Sequence, residues 1–303
     1  MRRRVLLLLG AAAFAGAQSR QVAITIDDLP RGGDHGGRDL AAIRAMTEKL
    51  LTPLRGIPVI GFVNAGRVPE LGDAGLQQIL AIWTSHGADL GNHSYSHPDL
   101  NTTPLDRYTA DIARGEPAIE KALGRRPVYF RHPFLHAGPD MEKRQGLAKW
   151  LEAHGYTVAP VTLDDSDWMF AAIYGDALRR KDSALADKVK GAYIPYMESV
   201  IAFFEARSKE VTGHECAQTL LIHASQLNAD SMPDLLAMFR RRGYRFISLG
   251  EALRDPAYRM QENYTGNGGF SWIHRWSGFL GLPGRGEPDE PEWISAGYKK
   301  LSQ

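Results

Sequence analysis

Cysteine is nearly absent from this chain of 303 residues, because Cys216 is the only one. A single cysteine excludes an intramolecular disulfide, although an exported protein can form them. Cys216 comes just before an apolar strand pattern. We therefore expect a buried, inert thiol at this position rather than a nucleophile.

An excess of charge and long apolar runs are also missing. The chain has 36 Lys and Arg residues against 35 Asp and Glu residues, which leaves a net charge of +1. This balance gives no electrostatic reason to expect a nucleic acid or an acidic membrane as the partner. After residue 17, no apolar run approaches the ~20 residues of a membrane-spanning helix. We therefore predict a mature chain without a stable membrane span, and the oligomeric state stays open.

The first 17 residues differ from the rest of the sequence. A basic start at residues 2–4 is followed by an apolar stretch over residues 5–15 and by the small residues Ala15-Gly16-Ala17. This order is typical of a secretory signal peptide that is cleaved before Gln18. We predict export to the periplasm or the extracellular space, and an uncleaved N-terminal anchor is the alternative.

Strand patterns alternate with helical patterns along the rest of the chain. The predicted strands cover residues 21–26, 58–63, 89–92, 128–130, 156–161, 219–222 and 244–247. Helical patterns lie between them, including one long polar segment over residues 176–207. Such alternation predicts an α/β fold with a parallel sheet. Residues 256–303 are instead loop-like and rich in aromatic residues, which we expect to pack on the wall of the fold or to stack on a sugar.

Acidic and histidine residues follow the first and third predicted strands. Asp27 and Asp28 end a β-branched run, and two adjacent carboxylates are costly to bury without a cation or a donor. One of them can bind a metal while the other acts as a base; a helix N-cap or a solvated turn is the alternative. His93 and His97 have the spacing of one helical turn, which lets both rings reach one ion. Two histidines and one carboxylate leave further metal positions open.

Three more clusters follow later strands, where α/β barrels carry their active sites. Arg131 comes directly after a strand, from which it can bind a carboxylate through two hydrogen bonds, or it lies in a surface turn shaped by Pro133. Residues 164–168 form an acidic turn that ends in Trp168. His223 leaves an apolar strand and, taken alone, is a core histidine; an acidic partner would orient its ring and raise its pKa.

The order of these five clusters resembles the polysaccharide deacetylases, also called carbohydrate esterase family four. The family motifs read Thr-Phe-Asp-Asp, His-Ser/Thr-x-x-His, Arg-x-Pro-Phe/Tyr, Asp-x-x-Asp-Trp and Leu-x-His. In this chain they correspond to residues 25–28, 93–97, 131–134, 164–168 and 221–223. The resemblance covers residues 21–255 and implies a distorted (β/α) barrel of about seven parallel strands.

The resemblance also implies a metal centre and a base. Asp28, His93 and His97 would bind one divalent metal, with zinc favoured and cobalt or nickel as alternatives. Asp27 would be the general base, and Arg131 would hold it in place. This donor set suits a metal that lowers the pKa of water toward ~7.

The remaining implied roles concern the leaving group and the acetyl group. His223 would be the general acid, oriented by Asp167. Trp168 and Leu221 would shape a pocket for the acetyl methyl group, and the backbone N–H of Phe134 would help to bind the oxyanion. An amine is a poor leaving group unless it is protonated, which is why an acid is needed opposite the base.

The sequence therefore predicts a metal-dependent hydrolase that removes acetyl groups from the N-acetylated sugars of an exported glycan, such as a chitin oligomer or peptidoglycan. The predicted parts are a signal peptide (residues 1–17), a catalytic domain (18–255) and a C-terminal extension packed on the barrel (256–303). Leu29 and Ala224 depart from the family pattern, as does a long segment over residues 170–216. Three alternatives remain: an O-acetyl esterase on xylan-like glycans, a C–N hydrolase on a small non-sugar amide, and an inactive glycan-binding protein.

Overall fold

All seven strands in the described part of the chain pair in parallel, which confirms the predicted α/β class. A computed structural model describes residues 20–302, so the predicted signal peptide lies outside the described residues. The strands are β1 (Arg20–Leu29), β2 (Val59–Val63), β3 (Asp89–Asn92), β4 (Tyr129–Phe130), β5 (Thr157–Val158), β6 (Gln218–His223) and β7 (Tyr244–Phe246). Six strands lie close to their predicted positions, whereas the fifth is much shorter than the predicted residues 156–161.

Strand β1 pairs with three other strands, β2, β6 and β7. The strand order is β5-β4-β3-β2-β1-β6, and β7 pairs with the first residues of β1. Side chains alternate along β1, so Val22, Ile24 and Ile26 pack in the large core under the helices. Ala23 packs on the opposite face, in a second cluster with Ile60 and other buried residues. The sheet is therefore the wall of a distorted (β/α) barrel, as predicted.

Ten α-helices surround the sheet in residues 20–302. They are α1 (Leu40–Leu51), α2 (Gly72–Ser85), α3 (Leu105–Leu123), α4 (Met141–Ala153), α5 (Asp167–Arg179), α6 (Ser183–Thr212), α7 (Gln226–Arg241), α8 (Leu249–Ala252), α9 (Trp272–Phe279) and α10 (Glu292–Leu301). None of the helices in this range is both long enough and apolar enough to cross a membrane. Cys216 is buried as predicted, and burial raises the pKa of its thiol to about 12.

The predicted single helix over residues 176–207 is wrong, because the chain breaks between α5 and α6. Lys181 has a φ of 60° and leaves the helical conformation. The Asp182 side chain then accepts a hydrogen bond from the backbone N–H of Leu185 at 3.0 Å and begins α6. An aspartate at an N-cap accepts a hydrogen bond from a free backbone N–H group in the first turn of a helix. Asp182 therefore favours the start of a new helix over the continuation of α5.

The C-terminal segment, residues 256–303, contains α9 and α10 and is not the loop-like stretch that the sequence predicts. The backbone N–H of Trp272 donates to Val161 O at 2.7 Å, and the Ser271 hydroxyl donates to Thr162 O at 2.8 Å. The next residue, Leu163, forms a bridge with β6. The segment therefore packs where the chain passes from β5 toward β6, at the gap between the two edges of the sheet.

Substitution of Trp276 tests how much the packing of this segment contributes to the stability of the protein. Its side chain is 1% exposed, whereas Phe279 on the same helix is 41% exposed. We expect Trp276→Ala to lower the free energy of unfolding by about 3–5 kcal/mol, because it removes a large buried side chain. The control Phe279→Ala should change it by less than about 0.5 kcal/mol. Urea unfolding followed by circular dichroism measures both values, and equal losses in the two variants would contradict this packing.

Candidate functional site

Asp27 and Asp28 lie at the carboxyl end of β1, and both carboxylates line one cavity. In a regular strand, successive side chains point to opposite faces of the sheet. Asp28 has a φ of 68°, and the pairing between β1 and β2 shifts its register between Ile26 and Leu29. This local irregularity turns the second carboxylate to the same side as the first.

His93 and His97 follow β3 in an irregular loop, so the predicted helical turn is wrong. Ser94 and His97 have φ values of 69° and 59°, which turn the chain sharply enough to bring the two rings within 4.9 Å of each other. The Asn92 side chain accepts the N–H of Ser94 at 2.8 Å. The Asp111 carboxylate accepts the next two backbone N–H groups at 2.8 and 2.9 Å. Hydrogen bonds from backbone N–H groups to side chains therefore hold this loop in place, where the sequence predicted a helical turn.

Asp28, His93 and His97 together form a cluster of three metal-type ligands. One ligand atom from each lies within 4.8 Å of the other two. Asp28 Oδ1 is 3.7 Å from His93 Nε2 and 3.5 Å from His97 Nε2, which is too long for hydrogen bonds. Ligands at ~2.0–2.1 Å from a tetrahedral ion lie about 3.4 Å from each other. The spacing therefore fits one shared divalent ion.

The hydrogen bonds and charges around His93 and Asp28 favour the binding of a cation. His93 Nδ1 is 2.8 Å from the carbonyl oxygen of Arg131, which leaves Nε2 free to act as the ligand. Burial lowers the pKa of His93 well below its usual value and keeps the ring neutral. Burial would raise the pKa of Asp28, but Arg67, at 2.7 Å from Oδ2, and His97 outweigh it and lower the pKa to about 2. Asp28 Oδ1 is buried without a hydrogen bond, as expected of an atom whose partner is a metal.

Asp27 is buried beside this cluster with one oxygen free. Arg131 Nη1 lies 3.4 Å from Asp27 Oδ2, and Nη2 donates to the Thr25 hydroxyl at 2.8 Å. The predicted two-bond clamp of Arg131 on a carboxylate is therefore wrong, because its second contact goes to Thr25. Burial raises the pKa of Asp27 to about 6, although Arg131 acts in the opposite direction. Asp27 Oδ1 has no hydrogen bond and is available to take a proton.

His223 has the acidic partner that the sequence left open. Its Nδ1 is 2.6 Å from Asp167 Oδ1, and its backbone N–H donates to Asp167 Oδ2 at 2.8 Å. Asn228 Nδ2 donates to the same Oδ2 at 2.7 Å and fixes the carboxylate further. Burial would lower the pKa of His223, but Asp167 outweighs it and raises the pKa to about 10. The Asp167 carboxylate therefore favours the protonated form of the His223 imidazole.

One cavity of about 830 Å³ contains most of the predicted site residues. Its lining includes Asp27, Asp28, His93, His97, Phe134, Trp168, Leu221 and His223. Arg131 and Asp167 are fully buried behind this surface, where they contact Asp27 and His223. The Phe134 ring lies edge-on to His97 with centroids 4.4 Å apart, so it borders the metal-type cluster.

Several residues that line the cavity or support its side chains were missed by the sequence reasoning. Arg67 follows β2, so the same search of strand ends that found the other clusters could have found it. Asn228 lies on α7 and has no signal in the sequence, because only folding brings it to Asp167. Residues from the C-terminal segment also line the cavity: Gly269, Phe270, Glu287 and Tyr298.

Comparisons with known proteins identify the family that this chain resembles. Residues 15–159 match the family model described as polysaccharide deacetylase, so the family resemblance predicted from the motifs is confirmed. The chain is 27% identical over 164 residues to the peptidoglycan-N-acetylglucosamine deacetylase of Bacillus cereus, covering 52% of this chain and 50% of that protein. It is 23% identical over 249 residues to the chitin deacetylase of Colletotrichum lindemuthianum, covering 82% and 85%. The chain thus spans half the length of the first relative.

Solved structures agree with the fold. A CE4 family pseudoenzyme from Bacillus anthracis superposes with a TM-score of 0.53 at 15% identity, covering 78% of this chain and 66% of that one. A family 4 carbohydrate esterase from Streptomyces lividans, in complex with acetate, gives 0.50 at 20% identity, covering 78% and 97%. At these identities the likeness concerns the fold alone. Since one of these structures is of a pseudoenzyme, activity has to be argued from this chain's own residues.

Metal uptake tests the three-ligand cluster directly. We expect the purified protein to bind one equivalent of zinc, and His93→Ala or Asp28→Asn to lower the affinity at least about 100-fold, because each removes one of only three protein ligands. His136→Ala is the matched control, since His136 lines the same cavity outside the cluster. Isothermal titration of the metal-free proteins measures this, and an equal loss in the control would exclude the assigned ligands.

Proposed function

We propose that this chain is a metal-dependent hydrolase that removes acetyl groups from the N-acetylated sugars of an exported glycan. The observation that carries the proposal is the arrangement of three groups around one cavity. These are the metal-type cluster, the free carboxylate oxygen of Asp27, and the imidazole of His223. A base, an acid and an electrophilic centre are what hydrolysis of an amide requires.

Asp28, His93 and His97 would hold the divalent ion, most suitably zinc. When bound, the ion would polarise the acetyl carbonyl and make water more acidic. Asp27 Oδ1 accepts a proton from the attacking water while Arg131 keeps the carboxylate in position. The water oxygen then forms a bond with the acetyl carbon.

The other half of the reaction concerns the leaving nitrogen. Asp167 occupies Nδ1 of His223, so Nε2 is the atom that delivers a proton to the leaving nitrogen as the carbon–nitrogen bond breaks. The products are acetate and a free amine. The backbone N–H of Phe134 would donate to the acetyl oxygen, which carries negative charge in the transition state. Trp168 and Leu221 line the same cavity and would enclose the methyl group.

The presence of an acid favours N-acetyl over O-acetyl substrates. An alkoxide leaves more readily than an unprotonated amine, so an esterase depends less on a proton donor. Here Asp167 orients the His223 ring and favours its charged form, and Asn228 holds the Asp167 carboxylate in place. The names of the relatives support the same substrate class, since one is a peptidoglycan deacetylase and another a chitin deacetylase. The signal peptide predicted for residues 1–17 would bring the enzyme to such an exported glycan.

Acetate release from a panel of acetylated glycans, with zinc or with a chelator, tests the reaction. We expect release that depends on metal and that Asp27→Asn lowers by about 10²–10⁴-fold, because the base is lost. Zinc binding by this variant should persist, since Asp27 is not among the three ligands. Release that survives the chelator, or an Asp27→Asn variant with near wild-type rates, would refute the proposed mechanism.

The pH profile tests the role of Asp167. Replacing Asp167 by Asn removes the negative charge that raises the pKa of His223 to about 10. His223 should then lose its proton at a lower pH, so the alkaline limb of the rate profile should move down by about one unit or more. The exposed control Asp187→Asn should leave the profile in place. An unchanged alkaline limb in Asp167→Asn would exclude His223 as the acid.

A further inference from the structure

Three partly exposed aromatic side chains line the same cavity, and exposed apolar surface within a groove is typical of a ligand-binding site. Phe134, Trp168 and Phe270 are 52%, 38% and 44% exposed. The proposed reaction uses the backbone N–H of Phe134 and the side chain of Trp168 at the acetyl group. Phe270 has no part in it, and it comes from the C-terminal segment, outside the motifs that carry the family resemblance.

The backbone around Phe270 is held firmly in place. The carbonyl oxygen of Phe270 accepts a hydrogen bond from Arg275 Nε at 3.0 Å. Ser271 is buried, and its hydroxyl and the next backbone N–H are both bound to the chain between β5 and β6. On the other side, a side chain at Gly269 would lie 1.9 Å from the carbonyl oxygen of Phe134. Phe270 is therefore presented to the cavity by a fixed backbone and not by a loose loop.

The ring of Phe270 is also braced from one side. Tyr264 meets it edge-to-face, with centroids 5.2 Å apart and an interplanar angle of 73°. Such a contact orients an aromatic ring without covering both of its faces. A flat apolar surface in a fixed orientation is the complement of the flat apolar face that the C–H groups of a pyranose ring present.

Glu287 provides a polar group in the same cavity. One of its carboxylate oxygens is 2.8 Å from Nε2 of His274, which fixes the side chain. The side chain is 28% exposed, so it can accept hydrogen bonds from a ligand. A sugar ring offers hydroxyl donors around its edge and C–H groups on its face, and Glu287 and Phe270 match these two features. At about 830 Å³ the cavity also holds far more than an acetyl group.

We propose that Phe270 and Glu287 form a sugar-binding wall in which Phe270 stacks on the face of a pyranose ring and Glu287 accepts its hydroxyl groups. The C-terminal segment thereby determines which glycan is bound. The inference rests on the proposed function, because the ring is a sugar of the acetylated substrate. It goes further by assigning recognition of the sugar to residues that take no part in the chemistry.

Binding of a chitin tetrasaccharide, measured by isothermal titration in the Asp27→Asn background with zinc present, tests the wall without turnover. We expect Phe270→Ala and Phe270→Leu to weaken binding about tenfold, since both remove the aromatic face. Phe270→Tyr should bind like the parent, and Glu287→Gln should weaken binding about threefold or more. Phe279→Ala is the matched control, because Phe279 is equally exposed on the same segment but lies outside the cavity lining.

Steady-state kinetics of the active enzyme separate binding from chemistry. Phe270→Ala should raise KM for the tetrasaccharide about tenfold and leave kcat within about twofold. This pattern is expected because the lost stacking interaction stabilises the bound substrate and the transition state equally. Hydrolysis of a small acyclic acetamide should be unchanged. Phe270→Ala and Phe279→Ala variants with equal Kd and equal KM would overturn the wall, as would Asp27→Asn protein that binds no tetrasaccharide. Absence of acetate release by the wild type would refute the proposed function instead, because the titration does not depend on it.

Discussion

The site depends on the burial of two adjacent carboxylates at the carboxyl end of β1. Asp27 and Asp28 are almost completely buried, and the free-energy cost of two such charges has to be offset by nearby cations or donors. Arg131 lies against the first and Arg67 against the second. One oxygen of each carboxylate still lacks a partner, so the pair is incomplete within the protein alone. A divalent ion at Asp28 and a substrate water at Asp27 would complete it.

The two carboxylates are held in different states by their surroundings. The pKa of Asp27 is raised to about 6 by burial, whereas that of Asp28 is lowered to about 2 because Arg67 and the histidines outweigh burial. A weakly basic group can exchange a proton near neutrality, and a strongly acidic one remains an anion for a metal. Neighbouring residues of one type thus acquire different pKa values from contacts made by distant parts of the chain.

The C-terminal segment contributes both to the barrel wall and to the cavity. It packs at the gap between β5 and β6 and continues past the loop that carries Phe134. Because that gap opens beside the cavity, the chain that packs there also contributes to the cavity lining. One piece of chain therefore packs against the gap in the barrel wall and lines the cavity.

The sequence by itself determined the fold class, the positions of six of the seven strands and a set of candidate site residues, because strand periodicity and motif order are local properties. It could not determine the loop of His93 and His97, since helical spacing also fits a bend fixed by Asn92 and Asp111. Nor could it place Asn228 beside Asp167, or Phe270 in the cavity, because those contacts join residues far apart in the chain. Only the tertiary structure decided them, since burial and hydrogen bonding between distant segments depend on how the whole sheet closes.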